Sequence, residues 1–480
     1  MKLKELLEGV KLRFYAADPE MQIQSVVYDS RKAEPGCAFV AVTGFAADGN
    51  RFIPMALEKG ASVIITAKQL DIDAPYVQVE SDRLALAQIS ANYFGHPADD
   101  MKLIGVTGTN GKTSTTLLLK HVLETVLGAK VGLMGTMENM IGNERIPTER
   151  TTPESYELQA LLAKMRQSGC SHVIMEVSSH AIALERVGGL KYEVAAFTNL
   201  TEDHLDFHKT MQAYCDTKAE LFGRCEKAVA NYDDAYYARI LAKAECPVLS
   251  VSGKMQSDLY ATEQTLHSDG VSFVAVCGDM RVPVRLGIPG KFTVYNALTV
   301  LAMAMQLGIS LPDAAKALES ACGVKGRVEV VPTPNKPYTI LIDYAHTPDG
   351  LENVLSSVKG FCKGRLIAVF GCGGDRDPIK RPIMGKIGTD IADIAIITSD
   401  NPRTEEPMAI INDIVKGIDC NKNNYKVIEN RVDAIHQAMD IGEKNDIIVL
   451  AGKGHETYQE ICGVKHHLDE REIVAEYLQN

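Results

Sequence analysis

The stretch LIGVTGTNGKT (residues 103–113) decides the fold of the middle of the chain. Its first five residues predict a buried strand, and the glycine-rich remainder leads into a helical pattern over residues 113–127. A glycine-rich turn at the start of a helix gathers backbone N–H groups, and the helix dipole adds to the attraction for an anion. Lys112 is expected to reach the β- and γ-phosphates of a nucleoside triphosphate, and Thr113 to ligate Mg²⁺. The predicted phosphate-binding residues are Gly108, Thr109, Asn110, Gly111, Lys112 and Thr113.

The motif departs from the usual phosphate-binding loop at one position. Val106 stands where the first glycine is common, so the loop is GxxGKT in place of GxxxxGKT. This departure makes a GTPase less well supported, but the motif still predicts a binding site for a nucleoside triphosphate. A plain strand-to-helix turn is the alternative, which the Gly-Lys-Thr sequence disfavours.

Alternating strand and helix patterns extend outward from this motif. Further strands are predicted at residues 172–177 and 194–199 and, after a proline-rich break at 323–337, at 339–343, 365–370, 391–398 and 446–451. Such alternation predicts mostly parallel sheets covered on both faces, which bind ligands at the carboxyl ends of their strands. We therefore predict an α/β protein of three domains: a small α/β domain (1–97), a central mostly parallel domain (98–330) and a doubly wound, Rossmann-like domain (331–480).

Composition excludes several classes of protein. The 50 basic and 62 acidic residues give a net charge of −12, which argues against a protein that mainly grips nucleic acid. No apolar run is long enough to span a membrane, and the charged N-terminal stretch does not resemble a signal peptide. The 11 cysteines are scattered and odd in number, which favours reduced thiols. The sequence predicts a cytoplasmic enzyme.

Three residues downstream of the phosphate motif are ambiguous when taken alone. Glu176 ends an apolar strand, where a carboxylate needs a partner; either a metal or a core arginine would serve. His204 follows another strand, but a lone histidine is more often a satisfied loop residue than a ligand. Lys218 by itself reads as a solvated helix lysine.

Taken together, the ordered motifs resemble the ATP-dependent Mur ligase family of peptidoglycan synthesis. They are GTNGKT (108–113), MEVSSH (175–180), FTNLTEDHLDFH (197–208), the lysine 14 residues after His204, DYAHTP (343–348), GCGGDRD (371–377), DNPR (400–403) and GKGHE (452–456). The resemblance covers essentially the whole chain.

The resemblance assigns roles to the ambiguous residues. Thr113, Glu176 and His204 would hold Mg²⁺, and Lys218 would carry a CO₂-derived carbamate that ligates a second Mg²⁺. Two cations would offset the repulsion between ATP and a carboxylate substrate. The residues implied for catalysis are Lys112, Glu176, His204 and Lys218.

Substrate-binding residues are likewise implied. Adenine and ribose would contact Asn296, Arg327, Asp343 and His346; without the resemblance, Asn296 and Arg327 could equally be a cap and a solvated charge. A UDP-sugar peptide would bind the N-terminal domain at Ser30 and around residues 44–47, although DSR (29–31) alone favours an ordinary turn. The muramoyl and peptide portion would contact Thr151, Thr152, Ser178 and Arg186.

The DNPR tetrad bears on the amino acid that is added. Asn-Pro commonly begins a turn, and the tetrad could be no more than that. Together with Arg376, however, Arg403 could bind a carboxylate bidentately. In the family this tetrad is typical of enzymes that add meso-diaminopimelate, whose second amino–carboxylate head L-lysine lacks. The implied binding residues are Arg376, Asp400, Asn401, Pro402, Arg403, Gly452 and Glu456.

The implied reaction joins meso-diaminopimelate to UDP-N-acetylmuramoyl-L-Ala-D-Glu through an acyl phosphate, with ATP as co-substrate. We expect a monomer that binds no nucleic acid and does not insert into membranes. The alternatives are an L-lysine-adding ligase of the same family, a folylpolyglutamate synthase-like ligase, which needs no nucleotide-sugar domain, and a nucleotide-dependent switch that forms no peptide product.

Overall fold

A computed structural model describes residues 1–44, 48–148, 150–267, 269–321 and 323–479. Residues 45–47, which belong to the predicted UDP-sugar region at 44–47, lie outside these ranges. The chain forms two compact units, one of Met1–Ala230 with Asp234–Leu249 and the other of Asn231–Asp233 with Ser250–Asn480. The predicted division into three functional domains remains a prediction.

The first unit combines two sheets with surrounding helices. Its helices are α1 (Leu3–Leu6), α2 (Ile53–Glu58), α3 (Asp82–Tyr93), α4 (Lys112–Leu127), α5 (Ser155–Gln167), α6 (Ser179–Ala183), α7 (Leu205–His208), α8 (Met211–Ala219) and α9 (Tyr237–Ile240). Its strands are β1 (Leu12–Ala16), β2 (Ser25–Val27), β3 (Cys37–Val40), β4 (Val63–Thr66), β5 (Tyr76–Val79), β6 (Lys102–Thr107), β7 (Val131–Met134), β8 (Asn139–Ile141), β9 (Glu144–Ile146), β10 (His172–Glu176), β11 (Tyr192–Phe197) and β12 (Cys225–Asn231).

The second unit contains a doubly wound sheet and an antiparallel meander. Its helices are α10 (Lys291–Gln306), α11 (Leu311–Glu319), α12 (Pro348–Lys359), α13 (Lys380–Ile391), α14 (Pro407–Val415), α15 (Arg431–Asp440) and α16 (Glu470–Gln479). Its strands are β13 (Val248–Ser252), β14 (Leu259–His267), β15 (Gly270–Cys277), β16 (Met280–Leu286), β17 (Glu329–Val331), β18 (Thr339–Asp343), β19 (Leu366–Phe370), β20 (Ile394–Ile397), β21 (Tyr425–Val427), β22 (Ile447–Ala451), β23 (Tyr458–Ile461) and β24 (Val464–His467).

Strand β6 lies at the centre of the larger sheet of the first unit. Strands β10 and β11 flank it in parallel, with Glu176 opposite Val106 and Phe197 opposite Thr107. Apolar side chains cover both faces of these strands, as expected for a parallel sheet between helices. The loops that follow the three strands therefore leave the sheet at one edge. The other sheet has the order β1-β5-β4-β3-β2, in which only β1 runs antiparallel to its neighbour.

The doubly wound sheet of the second unit has the order β17-β18-β22-β19-β20-β21. Strands β18 to β22 pair in parallel, and β17 adds an antiparallel edge. Separate apolar clusters fill its two faces. The meander of β14, β15 and β16 is antiparallel and was not predicted from the sequence.

Local sequence signals explain where several helices begin. Thr347 caps α12 by accepting a hydrogen bond from the Gly350 backbone, and Pro348 occupies the first helical turn, where no N–H partner is needed. Asn430 caps α15 in the same way. Among the described residues, no helix is long and apolar enough to cross a membrane. The cysteines within the described ranges are free thiols.

Gly385 allows α13 to pack closely on α14. An added Cβ at this glycine would lie 2.1 Å from the backbone oxygen of Ile414, which cannot move without shifting α14. Alanine is better than glycine inside a helix by about 1 kcal/mol, so helix propensity alone favours Gly385→Ala. We predict that the clash dominates and lowers the free energy of unfolding by about 1–3 kcal/mol.

The measurement is the midpoint of the urea unfolding transition. Gly287→Ala is the matched control, because its Cβ would come no closer than 3.9 Å to another atom. The control should shift the free energy of unfolding by less than about 0.5 kcal/mol. A midpoint for Gly385→Ala at or above the wild-type value would contradict the prediction.

Candidate functional site

The loop between β6 and α4 has backbone angles that favour glycine. Gly108 has φ of 148° and Gly111 has φ of 84°. A Cβ at Gly108 would lie 1.9 Å from Thr198 Oγ1, so no larger residue fits there. Lys112, the first residue of α4, donates hydrogen bonds from Nζ to the backbone oxygens of Gly108 (2.9 Å) and Thr109 (2.8 Å). The predicted phosphate-binding residues therefore form a compact loop at a helix N-terminus.

The segment after β11 holds this loop in place. The backbone N–H of Thr109 donates to the Asn199 backbone oxygen at 2.8 Å, and that of Asn110 donates to Asn199 Oδ1 at 2.9 Å. The Thr198 hydroxyl donates to the Asn110 backbone oxygen at 2.6 Å. The loop is thus fixed by its neighbour as well as by its glycines.

Glu176 ends β10 beside the same edge of the sheet and is 1% exposed. Its carboxylate accepts hydrogen bonds from the Thr136 backbone N–H (3.0 Å) and hydroxyl (2.9 Å). Within the described ranges no lysine or arginine pairs with it, so the alternative of a core ion pair is not supported. A buried carboxylate held by neutral donors retains lone pairs that suit a hard cation.

Lys218 on α8 is 1% exposed, so the interpretation as a solvated helix lysine was wrong. Its Nζ donates to the Gly108 backbone oxygen at 3.0 Å and lies 4.7 Å from the centre of the Tyr214 ring. Burial lowers the pKa of Lys218 well below its usual range, and the nearby charge of Lys112 acts in the same direction. Lys218 therefore meets the phosphate loop across more than 100 residues of sequence.

His204 lies at the start of α7 in the left-handed conformation, with φ of 56°. Its ring contacts that of His180 edge-on, with centres 4.8 Å apart. Burial lowers the pKa of His204; Asp203 opposes this shift, and Lys218 and Lys112 reinforce it. The neutral imidazole is the form that can accept a proton or ligate a metal.

The residues predicted for the muramoyl peptide come together beside Glu176. The Thr152 hydroxyl donates to the Glu176 backbone oxygen (2.8 Å) and accepts from the Ser178 backbone N–H (3.2 Å). Arg186 donates to the Thr152 backbone oxygen and lies 2.8 Å from Glu154. The Thr151 hydroxyl lies 3.1 Å from that of Thr136.

Ser30 begins a short 3₁₀ turn, Ser30–Lys32, capped by the Asp29 carboxylate. Arg31 forms a two-pronged ion pair with Asp29, and Ser30 Oγ contacts Met55 Sδ at 3.5 Å. The turn suggested by the sequence is therefore present. It leaves the predicted binding role of Ser30 untested.

In the second unit, the residues predicted for adenine and ribose lie partly around Tyr344. Asp343 accepts hydrogen bonds from the backbones of Val328 and Ala345, and burial raises the pKa of its carboxyl group. Arg327 packs over the Tyr344 ring at 5.1 Å, and its buried Nε has no hydrogen-bond partner among the described residues. The His346 ring lies 4.6 Å from that of Tyr344, and Asn296 is buried on α10.

Two arginines face Gly373 at the end of β19. A Cβ added to Gly373 would lie 2.8 Å from Arg403 Nη1 and 3.8 Å from Arg376 Cγ, so parts of both side chains lie beside this glycine. Arg403 has φ of 51°, donates to the Gly374 backbone oxygen at 2.8 Å and pairs with Glu460 at 3.2 Å. Arg376 is exposed, and its Nη1 donates to the Asp375 backbone oxygen at 3.2 Å. The two side chains are thus neighbours at Gly373, and their joint binding of one carboxylate stays a prediction.

The remaining residues of the predicted amino-acid site lie around Lys453. Asn401 Nδ2 donates to Glu456 Oε2 at 2.9 Å, and Lys453 Nζ donates to Asn401 Oδ1 at 2.9 Å. Asp400 is buried, with Lys453 at 3.3 Å. Burial alone would raise the pKa of Asp400, but Lys453 and Arg431 hold it below its usual value. The Gly452 backbone lies close to Asp400, since a Cβ added to Gly452 would contact the Asp400 carboxylate. The Pro402 backbone oxygen lies close to Gly374, since a Cβ added to Gly374 would contact that oxygen.

Three residues of these sites were missed by the sequence reasoning: Thr136, Tyr214 and Lys453. Lys453 lies inside the quoted GKGHE motif, and Tyr214 lies just before Lys218. Thr136 follows the end of β7, so its position at the carboxyl end of a strand could have marked it as a candidate site residue. The described residues contain no group of three or more histidine, cysteine or acidic side chains arranged around a metal position. The predicted ligand set holds only two such side chains, Glu176 and His204.

Models of three protein-family domains match successive parts of the chain. The model for the Mur ligase family catalytic domain matches residues 22–94, that for the Mur ligase middle domain matches 106–304, and that for the Mur ligase glutamate ligase domain matches 326–454. The chain belongs to the Mur ligase family of ATP-dependent ligases. The family resemblance and the α/β fold class inferred from the sequence are confirmed.

Among individual relatives, similarity extends over the full chain. The chain is 47% identical over 485 residues to a protein of Clostridium tetani named UDP-N-acetylmuramoyl-L-alanyl-D-glutamate–2,6-diaminopimelate ligase, covering 100% of this chain and 99% of the relative. It is 45% identical to the Clostridium botulinum protein of the same name, with full coverage of both. A solved structure bearing that name superposes with a TM-score of 0.75 at 31% identity, covering 100% of this chain and 99% of the other.

The contact between Gly108 and Thr198 makes a prediction about nucleotide binding. Gly108→Ala should displace the loop backbone and raise the Kd for ATP at least about tenfold, because a loss of about 1.4 kcal/mol suffices for that change. Gly128→Ala is the matched control, because Gly128 also has positive φ and lies at the other end of α4 but has open space around its Cβ. Calorimetric titration of both variants with ATP is the measurement. Equal affinities for the two variants would show that the loop tolerates the added methyl group.

Proposed function

We propose that the protein joins meso-diaminopimelate to UDP-N-acetylmuramoyl-L-Ala-D-Glu, with conversion of ATP to ADP and phosphate, in the synthesis of peptidoglycan precursors. Full-length similarity of 47% to a relative with this name is the observation that carries the proposal. The cluster of Arg376, Arg403, Asn401 and Glu456 supports it independently, because it gathers groups suited to an amino–carboxylate head.

The first chemical step is activation of the D-Glu carboxylate. This carboxylate attacks the γ-phosphate of ATP, which yields an acyl phosphate and ADP. The fixed loop from Gly108 to Thr113 and the ammonium group of Lys112 stabilise charge on the transferred phosphoryl group. The amine of the incoming amino acid then attacks the acyl carbonyl, and phosphate leaves. Positioning does most of the work, so no side chain needs to become covalently attached.

Thr113, Glu176 and His204 are suited to Mg²⁺. Glu176 fits the role because its carboxylate is buried and its hydrogen bonds come from the neutral donors of Thr136. Bound Mg²⁺ neutralises phosphate charge and so allows two anionic substrates to approach. Thr136 orients the carboxylate of Glu176.

Lys218 is suited to carry a carbamate for a second Mg²⁺. CO₂ reacts with a neutral amine, and burial favours the neutral form of Lys218 by lowering its pKa. Its position against the Gly108 carbonyl places it beside the phosphate loop. A carbamate there would turn a buried cation into an anionic oxygen ligand.

The other substrates are assigned to the clusters already described. Asn296, Arg327, Asp343 and His346 bind the adenosine of ATP, a role to which the buried Arg327 Nε without a partner is suited. Ser30, Thr151, Thr152, Ser178 and Arg186 bind the nucleotide-sugar peptide. Arg376 and Arg403 bind the distal carboxylate of diaminopimelate, and Asp400, Asn401, Pro402, Gly452 and Glu456 surround its ammonium group. We further propose that the protein is cytoplasmic and monomeric, with domains at 1–97, 98–330 and 331–480.

Two other ligases are the alternatives. An L-lysine-adding enzyme would need no arginine pair, because lysine lacks the second carboxylate. A folylpolyglutamate synthase-like enzyme would not need the N-terminal region, yet residues 22–94 match a Mur ligase domain. Both alternatives are less well supported than the diaminopimelate ligase.

Acceptor specificity is the direct test. Phosphate release is measured with ATP, Mg²⁺ and UDP-N-acetylmuramoyl-L-Ala-D-Glu, with either meso-diaminopimelate or L-lysine, and the product mass is determined. We expect turnover with diaminopimelate and a kcat/KM at least about tenfold lower with lysine, because the arginine pair would lose the carboxylate that it binds, a loss of about 1.4 kcal/mol or more. Preference for lysine would retain the ligase and refute the arginine clamp. Absence of product with either would refute the proposed function.

Carbamylation of Lys218 predicts a dependence on CO₂. Activity should fall in CO₂-depleted buffer near neutral pH, because the carbamate loses CO₂ and the amine is regenerated. Activity should return on addition of bicarbonate, because the CO₂ that it supplies reacts with the neutral amine again. The measurement is the initial rate before and after bicarbonate addition. Lys227→Arg, at a partly exposed lysine paired with Glu193, is the control and should retain the response. Lys218→Arg should be inactive and unresponsive; a wild-type enzyme indifferent to CO₂ would refute the carbamate.

A further inference from the structure

The ammonium group of Lys453 is a buried charge with several polar partners in the second unit. The residue is 0% exposed, and its Nζ donates to the Tyr458 backbone oxygen at 2.7 Å and to Asn401 Oδ1 at 2.9 Å. Asp400 and Glu456 lie 3.3 and 3.5 Å from it. The proposed reaction gives this lysine no chemical step, and it is too deeply buried to meet a substrate directly.

Lys453 fixes which way the Asn401 amide points. Asn401 Oδ1 accepts from Lys453 Nζ and from the Glu460 backbone N–H, each at 2.9 Å. Both partners are donors, so only the oxygen can occupy that side. The amide nitrogen must then face Glu456, to which it donates at 2.9 Å. Loss of the lysine would remove one of the two donors that define this orientation.

The same contacts fix the carboxylate of Glu456. Its contacts with Asn401 and Lys453 both fall on Oε2. No described residue donates a hydrogen bond to Oε1. The carboxylate therefore keeps one oxygen available for the ammonium group of an amino acid, while the other is held by the protein.

Lys453 also balances charge behind the site. The Asp400 carboxylate lies 3.3 Å from the Lys453 ammonium group. It also lies close to the Gly452 backbone, since a Cβ added there would be 2.6 Å from Asp400 Oδ2. The neighbouring Arg431 is already paired with Glu470 at 2.8 Å. Lys453 thus stands between two carboxylates, one buried and one facing the proposed amino-acid site. Burial of this kind is tolerated only when the charges are paired and hydrogen-bonded.

We propose that Lys453 is a positioning residue for the acceptor amino acid: it holds Asn401 and Glu456 in the orientation that receives the ammonium group of an amino–carboxylate substrate. This inference rests on the proposed function and deepens it. The lysine acts through Asn401 and Glu456 and touches neither substrate nor the reacting atoms. Its removal should weaken binding of the amino acid and leave binding of ATP unaffected.

The experiment separates orientation from simple charge burial. Lys453→Met removes the ammonium group but leaves Asp400 uncompensated, so it could destabilise the fold. The double variant Lys453→Met/Asp400→Asn removes one charge of each sign and should recover the urea midpoint. Asp400→Asn alone is the reference for the double variant, because Asp400 itself belongs to the proposed amino-acid site. Lys422→Met, at a lysine bonded to the Thr389 backbone, is the control. Steady-state kinetics give KM for meso-diaminopimelate and for ATP separately.

We expect Lys453→Met to raise KM for diaminopimelate about tenfold or more over the wild type, the effect of one lost charge-assisted hydrogen bond. The double variant should raise it by a similar factor over Asp400→Asn. KM for ATP should stay within about twofold of the wild type, as expected when only one ligand's contacts change. Recovery of both the midpoint and KM in the double variant would overturn the inference and leave charge balance alone. An equal rise in both KM values would overturn it too. Wild-type enzyme that fails to use diaminopimelate would instead refute the proposed function.

Discussion

One backbone carbonyl, that of Gly108, organises the phosphate-binding end of the first unit. It accepts hydrogen bonds from two ammonium groups, those of Lys112 at 2.9 Å and Lys218 at 3.0 Å. Burial lowers the pKa of Lys218, and the like charge of Lys112 lowers it further. The reactivity proposed for Lys218 depends on its burial beside this carbonyl. The position of α8 relative to the phosphate loop depends on it as well.

This geometry needs the loop backbone to be held from outside. Glycines permit its conformation, but Asn199 and Thr198 supply the bonds that select it. Because β6 and β11 are parallel neighbours, their carboxyl ends meet without a long connection. Glu176 reaches the same edge from β10. Three separate stretches of sequence therefore converge through sheet register alone.

Much of this could be predicted from the sequence, and the reason is periodicity. The strands of a parallel sheet are apolar on both faces, so β6, β18 and β22 stand out within one or two residues of their observed ends. Side-chain contacts across long separations have no such signal. Its immediate sequence alone made Lys218 look like an ordinary helix lysine; the family resemblance implied its role, and the fold shows its contact with Gly108. Lys453 had no assigned role until its neighbours were known. The meander of β14 to β16 was not predicted, because its three strands follow one another without the intervening helices that mark the strands on either side.

The backbone of Arg403 has a consequence for how the chain can vary. Arg403 has φ of 51°, in the left-handed region that glycine and asparagine adopt at lower energy than arginine. Selection for thermal stability alone would therefore act against Arg403 through its backbone, opposed by the ion pair with Glu460 and the hydrogen bond to the Gly374 backbone oxygen. Under the proposed function, retention of arginine follows from selection for carboxylate binding by the guanidinium group. Libraries screened only for heat resistance should lose this residue, whereas libraries screened for growth should keep it.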